Sequence, residues 1–296
     1  MVGRIGRYAN PRQMNLGGRR RRRGGGFRWQ IALLFVIGAA VYYFANQETV
    51  PLTGRKQLRT MDPQQEIQLG LQSYQQILAQ ERGNVMTSGP IVDQVQEIGE
   101  RLAIEAEKLM VQETGKETGF DWTYNVIESE QANAFALPGG YTAVYTGLIP
   151  VAKNIDGLAA VMGHEIGHAL AHHGAERMAQ QNLQRIVGAG VSLGAGGMDM
   201  GAQRAVMGIF GAGSQYGFAL PFSRSHESEA DKIGLILMAH ACYDPTEAPR
   251  LWERMGANSN GAPPEFQSTH PSAETRIAQF QEWMPEALEI YRAKCR

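Results

Sequence analysis

Two histidines four residues apart in an otherwise apolar stretch constrain this chain more than any other feature. His164, Glu165, Ile166, Gly167 and His168 lie in a helical run that begins near Ile155. On a helix, positions i and i+4 share a face, so both imidazoles reach one metal ion. Glu165 sits beside the first histidine, where a carboxylate takes the proton of a metal-bound water. Gly163 and Gly167 leave room for another element to approach closely. His172 lies four residues beyond His168, but Ala169 fills the place that a base would take in a second such pair. His172 is therefore read as no ligand and His173 as structural.

A catalytic metal of this kind usually keeps three protein ligands and one open position. The pattern that continues with glycine and then histidine is excluded, because those places hold Ala171 and Gly174. The third ligand is then expected to be an acid on a later helix. Glu227, Glu229 and Asp231 offer one. Glu227 and Asp231 are one turn apart and share a face, whereas Glu229 is rotated by roughly 200° from Glu227. Glu227 is suited to bind the metal while Asp231 accepts the second ring N–H of a ligand histidine. The same acids also suit a solvated helix start.

The N-terminal region constrains location. The first 28 residues hold nine arginines and no acid, while the remainder carries about ten net negative charges. The uncharged run Ile31–Ala45 follows, with Trp29, Tyr42, Tyr43 and Phe44 near its ends. Fifteen residues is short for a span, which needs about 17 or more, and the flanking Trp29, Gln30 and Asn46 extend the run. Arginines on one side and aromatics at the edges fit a signal anchor. A cleaved signal peptide and a buried helix behind a nucleic-acid-binding tail are the alternatives. Residues 1–28 are thus read as an Arg-rich cytoplasmic tail, 29–46 as a transmembrane helix, 47–62 as an extended linker and 63–296 as the folded domain. A mean hydropathy of -0.29 excludes a chain with many spans.

Within that domain, Asp62 and Pro63 start a helix to about Gln80, and Gly89-Pro90 starts another with Val95, Ile98 and Leu102 on one face. Trp122–Glu128 and Tyr141–Thr146 read as strands separated by a Pro138-Gly139-Gly140 turn. The rest reads as helix. Ten glycines lie between Gly188 and Gly217, where only Asp199 and Arg204 are charged. This segment reads as a packed or mobile helical pair over a cleft, as one that touches lipid, or as disordered chain. Cys242 and Cys295 are the two cysteines. They either pair, closing a loop of roughly 50 residues worth about 3–4 kcal/mol, or remain free thiols.

Taken together, His164-Glu165-x-x-His168 and Ser223-Arg224-x-x-Glu227-x-Glu229-Ala230-Asp231 resemble the membrane-associated gluzincin zinc metalloproteases. That family includes BepA, LoiP and the Oma-type proteases and is kin to the CAAX prenyl endopeptidases. The likeness extends over about residues 50–285. It takes in Pro51 to Arg55, Asn133 to Gly140, and Thr269-His270-Pro271 with Arg276. Several motifs in order are more specific than the histidine pair alone.

The resemblance implies one Zn2+ held by His164, His168 and Glu227, with Glu165 as general base and Asp231 behind the ligands. It also implies that the strand Tyr141–Thr146 is an edge that pairs with an extended substrate. His270 is expected either to occupy a fourth zinc position as a gate or to donate to the transition state, with Arg276 as the other donor. The expected fold is α+β and zincin-like, mainly helical with a small antiparallel sheet, preceded by the transmembrane helix. The expected function is a zinc-dependent endopeptidase acting on misfolded or unassembled envelope or membrane-associated proteins. The alternative is a zinc-containing periplasmic holdase. Protein or peptide substrates and the membrane are the expected partners, and nucleic acid is not. A bacterial inner membrane with a periplasmic domain is the expected location, ahead of the mitochondrial inner membrane or secretion.

Overall fold

The computed structural model describes residues 26–215, 220–257 and 274–295. The chain is an α+β fold in which helices dominate and one small sheet covers a single buried helix. That central helix, α5 (Ile155–Leu170), follows the one-turn α4 (Ile149–Ala152). It is started by the Asn154 side chain, which accepts from the Gly157 amide at 2.7 Å. Nearly every residue of α5 is buried. A helix that is apolar all round must be enclosed on all sides. Here the enclosure comes from α3 (Pro90–Thr114), α8 (Leu220–His240), α9 (Glu247–Ala257) and the sheet.

The predicted helix starts are where local chemistry places them. The Asp62 side chain accepts from the Gln64 amide and Pro63 opens α2 (Pro63–Gln80). Pro90 opens α3, which buries Val92, Val95, Ile98 and Leu102 and stops at Gly115 in the left-handed region. Gly115 has a φ of 72°, which a glycine adopts without a Cβ penalty.

Four strands form the main sheet: β3 (Val85–Met86), β4 (Thr123–Ile127), β5 (Ala134–Leu137) and β6 (Tyr141–Tyr145). Their order is β3–β4–β6–β5. The outer pairings, β3 with β4 and β5 with β6, are antiparallel, whereas β4 and β6 run parallel. The expectation that Tyr141–Thr146 is an edge strand is therefore corrected. β6 is paired on both sides and all five of its residues are buried. The terminal strand is β5, which pairs Ala134 with Val144 and Leu137 with Tyr141. Two alanines in four residues conceal this strand in the sequence, since alanine carries little β propensity. Gly139 and Gly140, at φ of 94° and 85°, make the tight reversal from β5 into β6.

Residues 47–62 are also not the extended linker expected. β1 (Gln47–Thr49) and β2 (Lys56–Leu58) form an antiparallel hairpin with Val50 and Leu58 buried. Leu58 donates its amide to Glu176 at 3.1 Å, and Arg59 pairs with Glu66 at 2.9 Å, so this segment is docked on the body.

Helix α1 (Trp29–Ala45) lies against α6 (His173–Ala195). Among the described residues, no helix is long and apolar enough to cross a membrane. Uncharged over its 17 residues, α1 exposes Leu33, Leu34, Val36, Ile37, Val41 and Phe44. The glycine-rich stretch folds as the second half of α6 followed by α7 (Met200–Ser214), an antiparallel pair.

At the other end, α10 (Glu274–Lys294) returns along α8, and Cys295 forms a disulfide with Cys242 in the turn after α8. The two cysteines are 53 residues apart in sequence, so the bond holds α10 in place by restricting the unfolded chain. Replacing both with serine should lower unfolding free energy by about 3–4 kcal/mol in a denaturant titration. A midpoint unchanged from that of the parent would show that the crosslink does not constrain the fold.

Candidate metal centre

The centre is assembled where α5 crosses α8. A Cβ added to Gly163 would sit 3.1 Å from the Gly234 carbonyl oxygen, and one on Gly167 would sit 2.8 Å from that of Ala230. On the α8 side, a Cβ on Gly234 would lie 2.7 Å from the His164 amide nitrogen. Only small residues allow two backbones this close. The approach sets the α8 acids beside the α5 histidines.

The three donors converge. His164 Nε2 and His168 Nε2 are 3.1 Å apart, and Glu227 places one oxygen 3.4 Å from the first and the other 3.6 Å from the second. Metal–ligand bonds of about 2.0–2.2 Å in a tetrahedron require donor separations of about 3.3–3.6 Å. Two imidazole nitrogens and one carboxylate oxygen suit a borderline transition-metal cation. All three side chains are buried or nearly so. Burial alone lowers the His164 pKa, but hydrogen bonds from its ring to the Asp231 and Glu227 carboxylates outweigh it and push the pKa up to about 9. Glu165 is also buried, one residue along α5 from His164.

Each histidine is held from behind. His164 Nδ1 and Asp231 Oδ1 are 2.9 Å apart, so the outer ring nitrogen faces a carboxylate and Nε2 faces the other donors. Arg276 Nε donates to the second Asp231 oxygen at 2.6 Å, and its guanidinium lies 3.5 Å over the Trp252 ring. Burial raises the Asp231 pKa, yet the Arg276 charge and the His164 contact hold it below the ordinary value. Arg276 stands on the Nδ1 side of His164, 3.5 Å away, with Asp231. In this position it anchors Asp231, and its Nη1 also lies 3.5 Å from the Glu227 oxygen that faces His164 Nε2. His270 lies outside the described residues.

His168 has a longer support that the sequence did not reveal. Its Nδ1 is 2.7 Å from His173 Nδ1, and His173 Nε2 is 2.9 Å from Glu229. Burial, with the charges of His226 and Arg55, lowers the His173 pKa well below normal, so the ring is neutral. One arrangement of protons fits. His168 Nδ1–H donates to His173, and His173 Nε2–H donates to Glu229, which leaves His168 Nε2 as a lone-pair donor. Glu229 is in turn held by Thr53 and by Arg55, whose Nε donates at 2.6 Å. Arg55 also bridges to Glu176 at 2.7 Å, and His226 stacks on His173.

His173 follows His168 by five residues, a spacing at which a continuous helix would carry it away from the site. The chain instead reverses at His172, which ends the run at a φ of 54° and lets α6 start at His173. That bend returns His173 to His168 and sends His172 to Glu66, at 3.1 Å and away from the three donors. No local signal in the sequence announces it.

Glu229→Gln should therefore weaken metal binding by about 10–100-fold, measured by competition with a chelator. Unchanged affinity in a protein of normal thermal stability would show that the His173–Glu229 pair gives His168 no support. Gly234→Ala should cost about 1–3 kcal/mol by overpacking and lower the bound metal per chain. A metal content and melting temperature equal to the parent's would mean that the crossing tolerates a Cβ.

The same residues lie within a region that the chain shares with known proteins. The model of peptidase family M48 matches residues 92–284. The mitochondrial metalloendopeptidase OMA1 of Schizosaccharomyces pombe is 36% identical over 264 residues, which is 88% of this chain and 73% of that protein. The mitochondrial metalloendopeptidase OMA1 of Homo sapiens is 31% identical over 268 residues, 87% of this chain and 49% of its own length. The beta-barrel assembly-enhancing protease of Escherichia coli is 29% identical over 250 residues, 82% of this chain and 48% of its own. The matched region holds most of α3, strands β4, β5 and β6, α5 and α8, and with them the three convergent donors and Glu165. The chain belongs to peptidase family M48, with Oma-type membrane metalloproteases among its relatives, and is a metalloendopeptidase.

Proposed function

We propose that the chain is a zinc-dependent endopeptidase that cleaves internal bonds of misfolded or unassembled envelope or membrane-associated proteins. The convergence of His164, His168 and Glu227 beside buried Glu165 carries this reading. Zinc, when bound, acts as a Lewis acid on the peptide carbonyl and makes water acidic enough to attack near neutral pH. His164 and His168 offer Nε2 to the ion, and Glu227 offers a carboxylate oxygen. Glu165 takes the proton of the attacking water and passes it to the leaving amine. Asp231 and Arg276 on one side, and His173, Glu229 and Arg55 on the other, hold the two imidazoles in their metal-binding tautomers.

Substrate is proposed to enter as an extended chain that adds to the β5 edge. β5 lies along α5 at the end of the sheet, and backbone pairing gives affinity with little demand on side chains. Such recognition suits a protease for unfolded chains, because a folded substrate has no free strand to offer.

The chain is further proposed to sit in a bacterial inner membrane through residues 29–46, with its catalytic domain on the periplasmic side. The uncharged α1, its exposed apolar side chains and the preceding arginines support this location. The Cys242–Cys295 disulfide supports an oxidising compartment.

The test is casein cleavage by the full chain in detergent, beside bound zinc, for the parent and Glu165→Gln. Near one zinc per chain is expected in both, with cleavage lowered by about 100-fold or more only in the variant. Absence of zinc from the parent overturns the reading. Zinc in both with cleavage in neither would favour a holdase.

A further inference from the structure

The glycine-rich half of α6 lies against α1, α7 lies against that half of α6, and both share the chemistry of α1. From Ile186 to Gly197 there is no charged residue, and from Ala205 to Gly213 there is none either. Leu193, Met200, Met207 and Ile209 are exposed, Ile209 at 75%. None of the α7 residues is buried. A fifteen-residue helix of this composition has no reason to hold together in water, where its apolar side chains gain nothing by folding.

The contacts among the three helices are close and depend on glycine. A Cβ on Gly190 would meet Phe35 at 2.3 Å, one on Gly194 would meet Phe27 at 2.9 Å, and one on Gly188 would meet Phe210 at 3.2 Å. The Arg28 amide also donates to the Gly194 carbonyl at 2.8 Å. Close approach at glycines spaced by four residues is how helices associate in lipid, where apolar side chains gain no solvent-driven benefit from contact.

The polar residues bracket this bundle at two levels. α1 and α6 run antiparallel, with Phe27 and Arg28 beside Gly194 and with Tyr42 and Tyr43 near Leu183, Ile186 and Val187. The α6–α7 tip therefore lies at the level of Arg28. Asp199 is at that tip with its carboxylate accepting from the Gly201 and Ala202 amides, and Gln203 and Arg204 follow within the first turns of α7. Gln181, Gln184 and Arg185 on α6 and Gln215 after α7 mark the other end. The uncharged layer between these levels is roughly 20–25 Å thick, from the rise per residue of α1. A bilayer accommodates a layer somewhat thinner than its usual core, and Arg204 is close enough to the tip to reach headgroups.

We infer that the α6–α7 hairpin enters the lipid bilayer beside α1, so that three packed helices and not one hold the enzyme in the membrane. This rests on the membrane location proposed above for α1. α6 is continuous from His173, which touches His168, to Ala195. The metal centre is then held rigidly within roughly 18 Å of the membrane surface, the rise from His173 to Arg185. Chain segments emerging close to the membrane are the substrates such a fixed height selects.

Single cysteines replace Leu34, Leu193, Ile209 and, as a reference on the body, Glu97 in the full chain, the native pair being a disulfide. Each is labelled with an environment-sensitive fluorophore and reconstituted in vesicles of phosphatidylethanolamine and phosphatidylglycerol. Quenchers are iodide in water and nitroxide on the acyl chains. The expected result is that Leu34→Cys, Leu193→Cys and Ile209→Cys are quenched several-fold more by the acyl nitroxide than by iodide, with the reverse for Glu97→Cys. Lipid quenching at Leu34→Cys with iodide quenching at the α6 and α7 positions would overturn the hairpin insertion and leave the α1 anchor standing. Iodide quenching at all positions would remove the anchor as well. Shielding of Ile209→Cys from both quenchers would assign α7 to a protein contact, either a second copy or a cover over the cleft, and also overturn the inference.

Discussion

The approach of α5 to α8 at Gly163, Gly167, Ala230 and Gly234 is the contact on which the rest of the molecule depends. Donor positions in a tetrahedral site tolerate errors of a few tenths of an ångström, and one added methyl at Gly234 would fall within 2.7 Å of the backbone beside His164. The crossing does two things at once. It sets Glu227 against both Nε2 atoms, and it sets Asp231 against the Nδ1 of His164, because one helical turn separates those acids. α10 then closes over the crossing, with Arg276 bound to Asp231 and stacked on Trp252. The disulfide at its far end keeps α10 there.

Around this contact the charges are arranged in two lines, one for each of the two α5 histidines that face Glu227. His164 is backed by Asp231 and Arg276, both buried within a few ångströms. His168 is backed by His173, Glu229 and finally Arg55 in the hairpin that follows α1. A buried carboxylate without a partner is costly, so each line ends on a guanidinium. The second line joins the metal centre to the segment between α1 and the catalytic body. Together with α6, which runs from His173 to the exposed apolar helices, it connects the centre directly to the apolar end of the molecule.

Much of this was legible in the sequence where the signal is local. The cap at Asp62-Pro63, the start at Gly89-Pro90, the strands around Tyr124 and Val144, and the helix carrying both histidines follow from capping, turn chemistry and periodicity. The order of strands did not follow, because β5 contains Ala134 and Ala136 and shows its identity only through pairing with Val144 and Thr142. The linker reading failed for a related reason. Val50 and Leu58 are isolated apolar residues in a polar stretch, and only contact with the body makes them core.

The sequence by itself determined the chemistry available: two imidazoles on one helical face, a neighbouring carboxylate, and a later pair of acids one turn apart. Helix geometry is a property of a few consecutive residues, so spacing alone settles which side chains share a face. Only the tertiary structure decided which acid faces which histidine, that His173 turns back on His168, that Arg276 serves Asp231, and that β5 is the terminal strand. These depend on where separate elements cross, and a crossing is set by the shapes of both surfaces together. Neither surface is complete in any one stretch of sequence.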